Sequence, residues 1–137
     1  MKAEVFLDTS YAIALSSPND FFHNRAIELA DQVRAAGVRL VTTRAIILEI
    51  GNALSKQRYR RAAVKLLDAL KADSTVEILP LSEQLYERAW RLYRERADKE
   101  WSLTDCVSFV VMQERGLTEA FTADEHFQQA GFRALMR

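Results

Sequence analysis

Cysteine is nearly absent from this chain: Cys106 is the single copy. One thiol can form no internal disulfide and no cysteine-based zinc site. Histidine is almost as scarce, with His23 and His126 far apart in sequence and no cluster of imidazoles. No apolar run is long enough to cross a bilayer. Met1 to Phe6 is too short and too charged to read as a secretory leader. Neither sign of charge is in excess, and the formal net charge of zero gives no global nucleic-acid footprint. No linker, repeat or low-complexity stretch divides the chain. These absences leave one domain over residues 1–137, with a reducing, cytoplasmic setting as the default expectation.

Hydrophobic residues make up 49% of the 137 residues and charged ones 28%, which suits one well-filled core and excludes disorder. The stretch Trp101 to Phe127 organises the rest. Ser102 reads as an N-cap, and Asp105 stands three residues on, where its charge suits the positive end of a helix dipole. Val107, Phe109, Val110, Val111 and Met112 make that helix apolar on several sides, and Gly116 ends it. Thr118 to Ala123 reads as a strand with Asp124 just past its carboxyl end. A short helix follows over Glu125 to Ala130, then a last strand over Phe132 to Leu135.

Upstream, Glu4 to Leu7 is a short apolar strand ending at Asp8, followed by a helical segment from Thr9 to Leu15. Phe22, Ala26, Leu29, Ala30 and Val33 recur at helix spacing within Phe21 to Ala36, and Gly37 stops that helix. Val38 to Val41 is a second strand. Thr42 and Thr43 offer a cap for a helix from Ala45 to about Gln57. A further helix covers Arg60 to Ala72, Val76 to Leu79 is a third strand, and Ser82 caps a helix to about Ala97. Strands alternating with helices predict an α/β fold with a short parallel sheet of about four to five strands flanked by helices. The strands are apolar without alternation, as in sheets covered on both faces. Ligands bind such sheets beyond the carboxyl ends of strands where the strand order reverses. Asp8 and Asp124 occupy positions that can meet there.

Four acids therefore stand out. Asp8, Asp105 and Asp124 each have a capping role as the alternative reading. Glu49 is harder to dismiss, because it shares a helical face with Ile46, Ile50 and Ala53. A charge on an apolar face costs free energy unless it is paired or metal-bound; an arginine partner is the bland alternative. Together the four match a site for a hard cation, Mg²⁺ or Mn²⁺, which prefers oxygen ligands and serves phosphoryl chemistry. Placing four acids on one cation leaves the rest of the chain with four more cations than acids. Clustered and partly buried, the acids repel, so at least one should have a raised pKa, and Asp105→Asn should relieve the metal-free fold. The basic run Lys56 to Arg61 offers Arg58 and Arg60 to phosphates and Tyr59 to a base, or else is a solvated helix junction. His23 and His126 are set aside as ligands, since the acid set is complete without them. Cys106, next to Asp105 on a buried helix, reads as core.

The stretches FLDTS at Phe6 to Ser10, TTRAIILEIGNAL at Thr42 to Leu54, WSLTDCVSF at Trp101 to Phe109 and TADEHF at Thr122 to Phe127 resemble PIN-domain ribonucleases. The resemblance is to the VapC-like toxins of bacterial and archaeal toxin–antitoxin pairs. It implies a metal-dependent endoribonuclease that leaves a 5′-phosphate and a 3′-hydroxyl. It further implies Asp8, Glu49, Asp105 and Asp124 as the acids of the site, with Thr122 and Asn52 as supporting polar residues. An antitoxin partner and a homodimer, formed through the third and fourth helices, are implied in the same way. The alternatives are a housekeeping RNA-processing nuclease, a phosphatase with Asp8 as nucleophile, and a non-catalytic module of the same fold. The phosphatase wants a second aspartate at position 10, which is Ser10 here.

Overall fold

The computed structural model describes residues 1–137. In chain order the elements are β1 (Glu4–Leu7), α1 (Thr9–Ser16), α2 (His23–Ala36), β2 (Arg39–Thr43), α3 (Arg44–Ala53) and α4 (Gln57–Ala72). They continue with β3 (Val76–Leu79), α5 (Glu83–Glu95), α6 (Leu103–Arg115), β4 (Glu119–Phe121), α7 (Glu125–Gln129) and β5 (Arg133–Ala134). The five strands form one sheet in the order β3-β2-β1-β4-β5. Every pairing is parallel. Val5, Phe6 and Leu7 are all buried although successive side chains point to opposite faces, so both faces of β1 are covered.

The chain lays β2 and β3 to one side of β1 and then returns to place β4 on the other. The strand order thus reverses between β1 and β4. In that pair Leu7 faces Phe121, and the Asp8 amide donates to the Phe121 carbonyl at 3.2 Å. The residues just beyond, Asp8 and Thr122, are therefore neighbours.

α6 is the central helix, because every residue from Asp105 to Met112 is buried. It starts at a full capping box between Ser102 and Asp105 and ends at Gly116, whose φ of 67° favours glycine. Phe109 of α6 meets Trp101 and Phe127 edge-on, each at 5.0 Å between ring centres, and Phe127 also lies 6.2 Å from Phe6 of β1. Phe127 is fully buried and is the anchor of the short helix α7. Arg115 at the end of α6 donates to Glu77 of β3 and Glu4 of β1.

Several sequence boundaries shift. β2 runs on to Thr43, so Thr42 is a strand residue whose hydroxyl donates to the Leu7 carbonyl, and Thr43 alone caps α3. α4 begins at Gln57, which puts Arg58, Tyr59 and Arg60 inside its first turn and not in a junction. β4 is trimmed to three residues. Ala53, grouped with the buried face of α3, is exposed, because α3 ends there. Replacing Phe127 by alanine removes the only ring that joins α7 to both β1 and α6. Urea unfolding should show a loss of about 3–5 kcal/mol.

Candidate metal centre at the strand-order reversal

Asp8 is the N-cap residue of α1 by position, yet its side chain makes no capping bond. It is 5% exposed, and its Oδ2 accepts the hydroxyls of Thr122 at 2.7 Å and Ser10 at 2.9 Å. The Ser10 oxygen accepts the Ala123 amide and the Thr122 oxygen accepts the Asp124 amide. Ser10 and Thr122 lie 3.2 Å apart, but each hydroxyl has one proton and both protons serve Asp8. The turn after β4 is thus fastened to the carboxylate at the end of β1. Burial pushes the Asp8 carboxyl up to about 6; the two hydroxyls pull it down and the charge of Glu49 pushes it further up.

Asp105 and Asp124 approach from α6 and α7. Oδ2 of Asp105 accepts the Ser102 amide at 3.0 Å, closing the capping box, and also meets Nδ1 of His126 at 2.9 Å. Asp124 caps α7 by accepting the His126 amide through Oδ1, and that oxygen lies 3.4 Å from His126 Nδ1. Against an ionised carboxylate, which only accepts, Nδ1 is the protonated nitrogen. Burial lowers the His126 pKa, but the hydrogen bond to Asp105 and the charges of Asp124, Asp105 and Glu125 outweigh it and leave it raised. Donor atoms of Asp105, Asp124 and His126 all lie within 4.8 Å of one another.

Glu49 completes the ring of acids. It is half-buried on α3 beside the fully buried Ile46 and Ile50, while Leu48 next to it is 58% exposed. The arginine partner of the alternative reading is absent: Glu49 takes part in no ion pair. Asp8, Glu49, Asp105, Asp124 and His126 line one open cleft of about 330 Å³, together with Ser10 and Thr9. Four acids from four separate parts of the chain thus converge on one cleft. Thr122 lies beneath it, holding Asp8. Asn52 does not enter it; it is exposed in a neighbouring, mostly apolar groove that Glu49 also borders. Arg58, Tyr59 and Arg60 are outside it as well, on the surface at the start of α4.

Two residues of the site escape the sequence reading. His126 is set aside there because the acid set is complete without it, yet the α7 cap turns its ring onto Asp105. Its signal is its place two residues after a capping aspartate, inside the same turn. Ser10, noted only as a departure from phosphatase chemistry, is a clamp on Asp8. His23 is indeed elsewhere, bonded to the Ala14 carbonyl. Burial, with the charge of Asp105, pushes the Cys106 thiol up to about 11, so Cys106 is an inert core residue. The carboxylate oxygens of Asp8, Glu49, Asp105 and Asp124 are a donor set that fits a hard divalent cation, and His126, with its Nδ1 proton on Asp105, braces that set.

Asp8 is a site acid whose charge strains the metal-free fold. Asp8 is 5% exposed, and only neutral donors, the Thr122 and Ser10 hydroxyls and the Thr9 backbone amide, offset the cost of burying its charge. Its folded pKa of about 6 lies above the unbound value of 3.8, so the folded chain holds the extra proton between them. Stability from this group is full below pH 3.8 and is lost as pH rises through about 6. The raised pKa of His126 acts in the same direction at higher pH. Asp8→Asn keeps an acceptor for both hydroxyls and removes the charge. In EDTA at pH 8 it should be more stable than wild type by roughly 1–3 kcal/mol, and at pH below 4 the gain should vanish, as read by urea unfolding at both pH values.

The sequence profile of the family described as PIN domain matches residues 5–133. The 23S rRNA-specific endonuclease VapC20 of Mycobacterium tuberculosis is 29% identical over 128 residues, covering 93% of this chain and 95% of that protein. The same match is found for the protein from two strains of that organism. The crystal structure of Mycobacterium tuberculosis VapC20, described as a Sarcin-Ricin loop cleaving toxin, aligns with a TM-score of 0.81 at 28% identity. That alignment covers 93% of this chain and 95% of that one. With a family match over nearly its whole length and an acid-lined cleft where its strand order reverses, this chain belongs to the PIN domain family.

Proposed function

We propose that the chain is a Mg²⁺- or Mn²⁺-dependent endoribonuclease, the toxin of a toxin–antitoxin pair, with Asp8, Glu49, Asp105 and Asp124 as its catalytic acids. The observation that supports this most is their convergence, with His126, in one cleft. Asp8 and Asp105 would be the direct ligands in this reading, with Asp124 holding the ion through water. A bound divalent ion supplies Lewis acidity there, lowering the pKa of a bound water and neutralising phosphate oxygens. Ser10 and Thr122 occupy one oxygen of Asp8 and so leave Oδ1 for the cation. Burial makes the Asp8 charge unfavourable by itself, which favours a compensating cation. Glu49, free of protein partners, orients the attacking water for in-line displacement at phosphorus. His126 holds its Nδ1 proton on Asp105 and keeps that carboxylate aimed.

Arg58 supports RNA contact better than Arg60 does. Its guanidinium lies 4.8 Å from the centre of the exposed Tyr59 ring and takes part in no ion pair, whereas Arg60 is tied to the Ser55 carbonyl at 2.7 Å. The proposed substrate is 23S rRNA, the target in the relative's name. A ribosomal target goes with a cytoplasmic location, and no helix is long and apolar enough to cross a membrane. A homodimer through α3 and α4 is supported by exposed Leu48 and Val64 on those helices.

The test is cleavage of purified ribosomal RNA with mapping of new 5′ ends. Wild type should produce discrete ends with Mn²⁺ or Mg²⁺, EDTA should stop it, and Asp105→Asn should lower the rate by at least about 100-fold. Cleavage that survives thorough chelation rules out the metal mechanism. If the α4 patch binds phosphates, Arg58→Ala should weaken RNA binding and lower the slope of log affinity against log salt by about 1. An unchanged slope assigns the patch to solvent.

A further inference from the structure

One fully buried polar atom at the cleft has no hydrogen-bonding partner in the protein. The Thr9 hydroxyl is the single buried side-chain oxygen or nitrogen without one. Thr9 is 7% exposed and lines the cleft beside Ile13 and Glu49. A buried, unpaired hydroxyl is unfavourable, and valine would fill the same space without that penalty. Thr9 gains nothing as a helix cap either, since Asp8 occupies the N-cap position of α1. Its hydroxyl therefore awaits a partner.

Glu49 is the complementary group. Asp8, Asp105 and Asp124 are each held by at least one hydrogen bond, to Thr122, to Ser102 and to the His126 amide. Glu49 has no ion pair, borders the same cleft as Thr9, and sits on α3, which packs against α1. The cleft thus contains one unpaired donor and one unpaired acid on neighbouring helices.

We infer that Thr9 is a positioning residue for Glu49. With the divalent cation bound, the Thr9 hydroxyl, which is closed off from solvent, donates directly to the Glu49 carboxylate. That bond fixes the one acid that the metal-free fold leaves free. The inference rests on the metal-centre reading above, and its test separates the two. Wild type, Thr9→Val, Thr9→Ser, Glu49→Gln and the Thr9→Val/Glu49→Gln double variant, all as the full chain, are melted in EDTA and in rising Mn²⁺. Thr9→Val should melt in EDTA at or above the wild-type temperature. It should need roughly 10-fold more Mn²⁺ for half of the stabilising shift, the size expected for a partner that orients a metal ligand. Thr9→Ser should restore the wild-type response, and in the Glu49→Gln background Thr9→Val should add less than about 2-fold. Thr9→Ala removes the same hydroxyl and must reproduce the result should valine disturb the helix start. A wild-type Mn²⁺ response in Thr9→Val, or the same loss with and without Glu49, overturns the role of Thr9 and leaves the metal centre standing. No Mn²⁺ shift in wild type overturns the metal centre and this inference with it.

Discussion

The structure depends on holding an ionisable carboxylate under the carboxyl end of its central strand. Asp8 follows β1, which is covered on both faces, and nothing positively charged lies against it. Two hydroxyls, Ser10 from α1 and Thr122 from the end of β4, make this tolerable. Each is itself oriented by a backbone amide from the β4–α7 turn. The same bonds therefore compensate Asp8, close the β1–β4 crevice and aim α7. A buried carboxylate with only neutral donors stays near the edge of ionisation, which suits a ligand that completes its charge when a cation arrives.

Capping bonds and the proposed metal site share atoms in this cleft. Asp105 closes the capping box of α6 with the same oxygen that receives His126. Asp124 caps α7 with the oxygen nearest the same imidazole. The choice between helix cap and site acid is a false one here. A cap fixes a carboxylate at a helix start, and a helix start placed over the crevice presents that carboxylate to a ligand. His126 follows from this economy, because the turn that lets Asp124 cap α7 also brings the ring back over both acids. Phe127, one residue on, sinks into the aromatic cluster of Phe6 and Phe109 and holds the turn from below.

Local grammar alone identified the alternation of short apolar strands with helices, the Ser102 and Ser82 caps, the stops at Gly37 and Gly116, and the buried character of α6. Those features depend on neighbours within about four residues, over which backbone and capping preferences act. The acids were legible for the same reason, since each lies at an element end or on an apolar helical stripe. Only the tertiary structure decided what surrounds each acid. Strand order placed Asp8 beside Thr122, residues 114 positions apart, and made Asp8 a strained carboxylate. It also brought His126 onto Asp105, left Glu49 and Thr9 unpartnered, and kept Asn52 and Arg58 out of the cleft. Hydrogen bonding and burial at these positions are set by contacts between segments distant in sequence, and no local pattern of residues encodes which of those segments will meet.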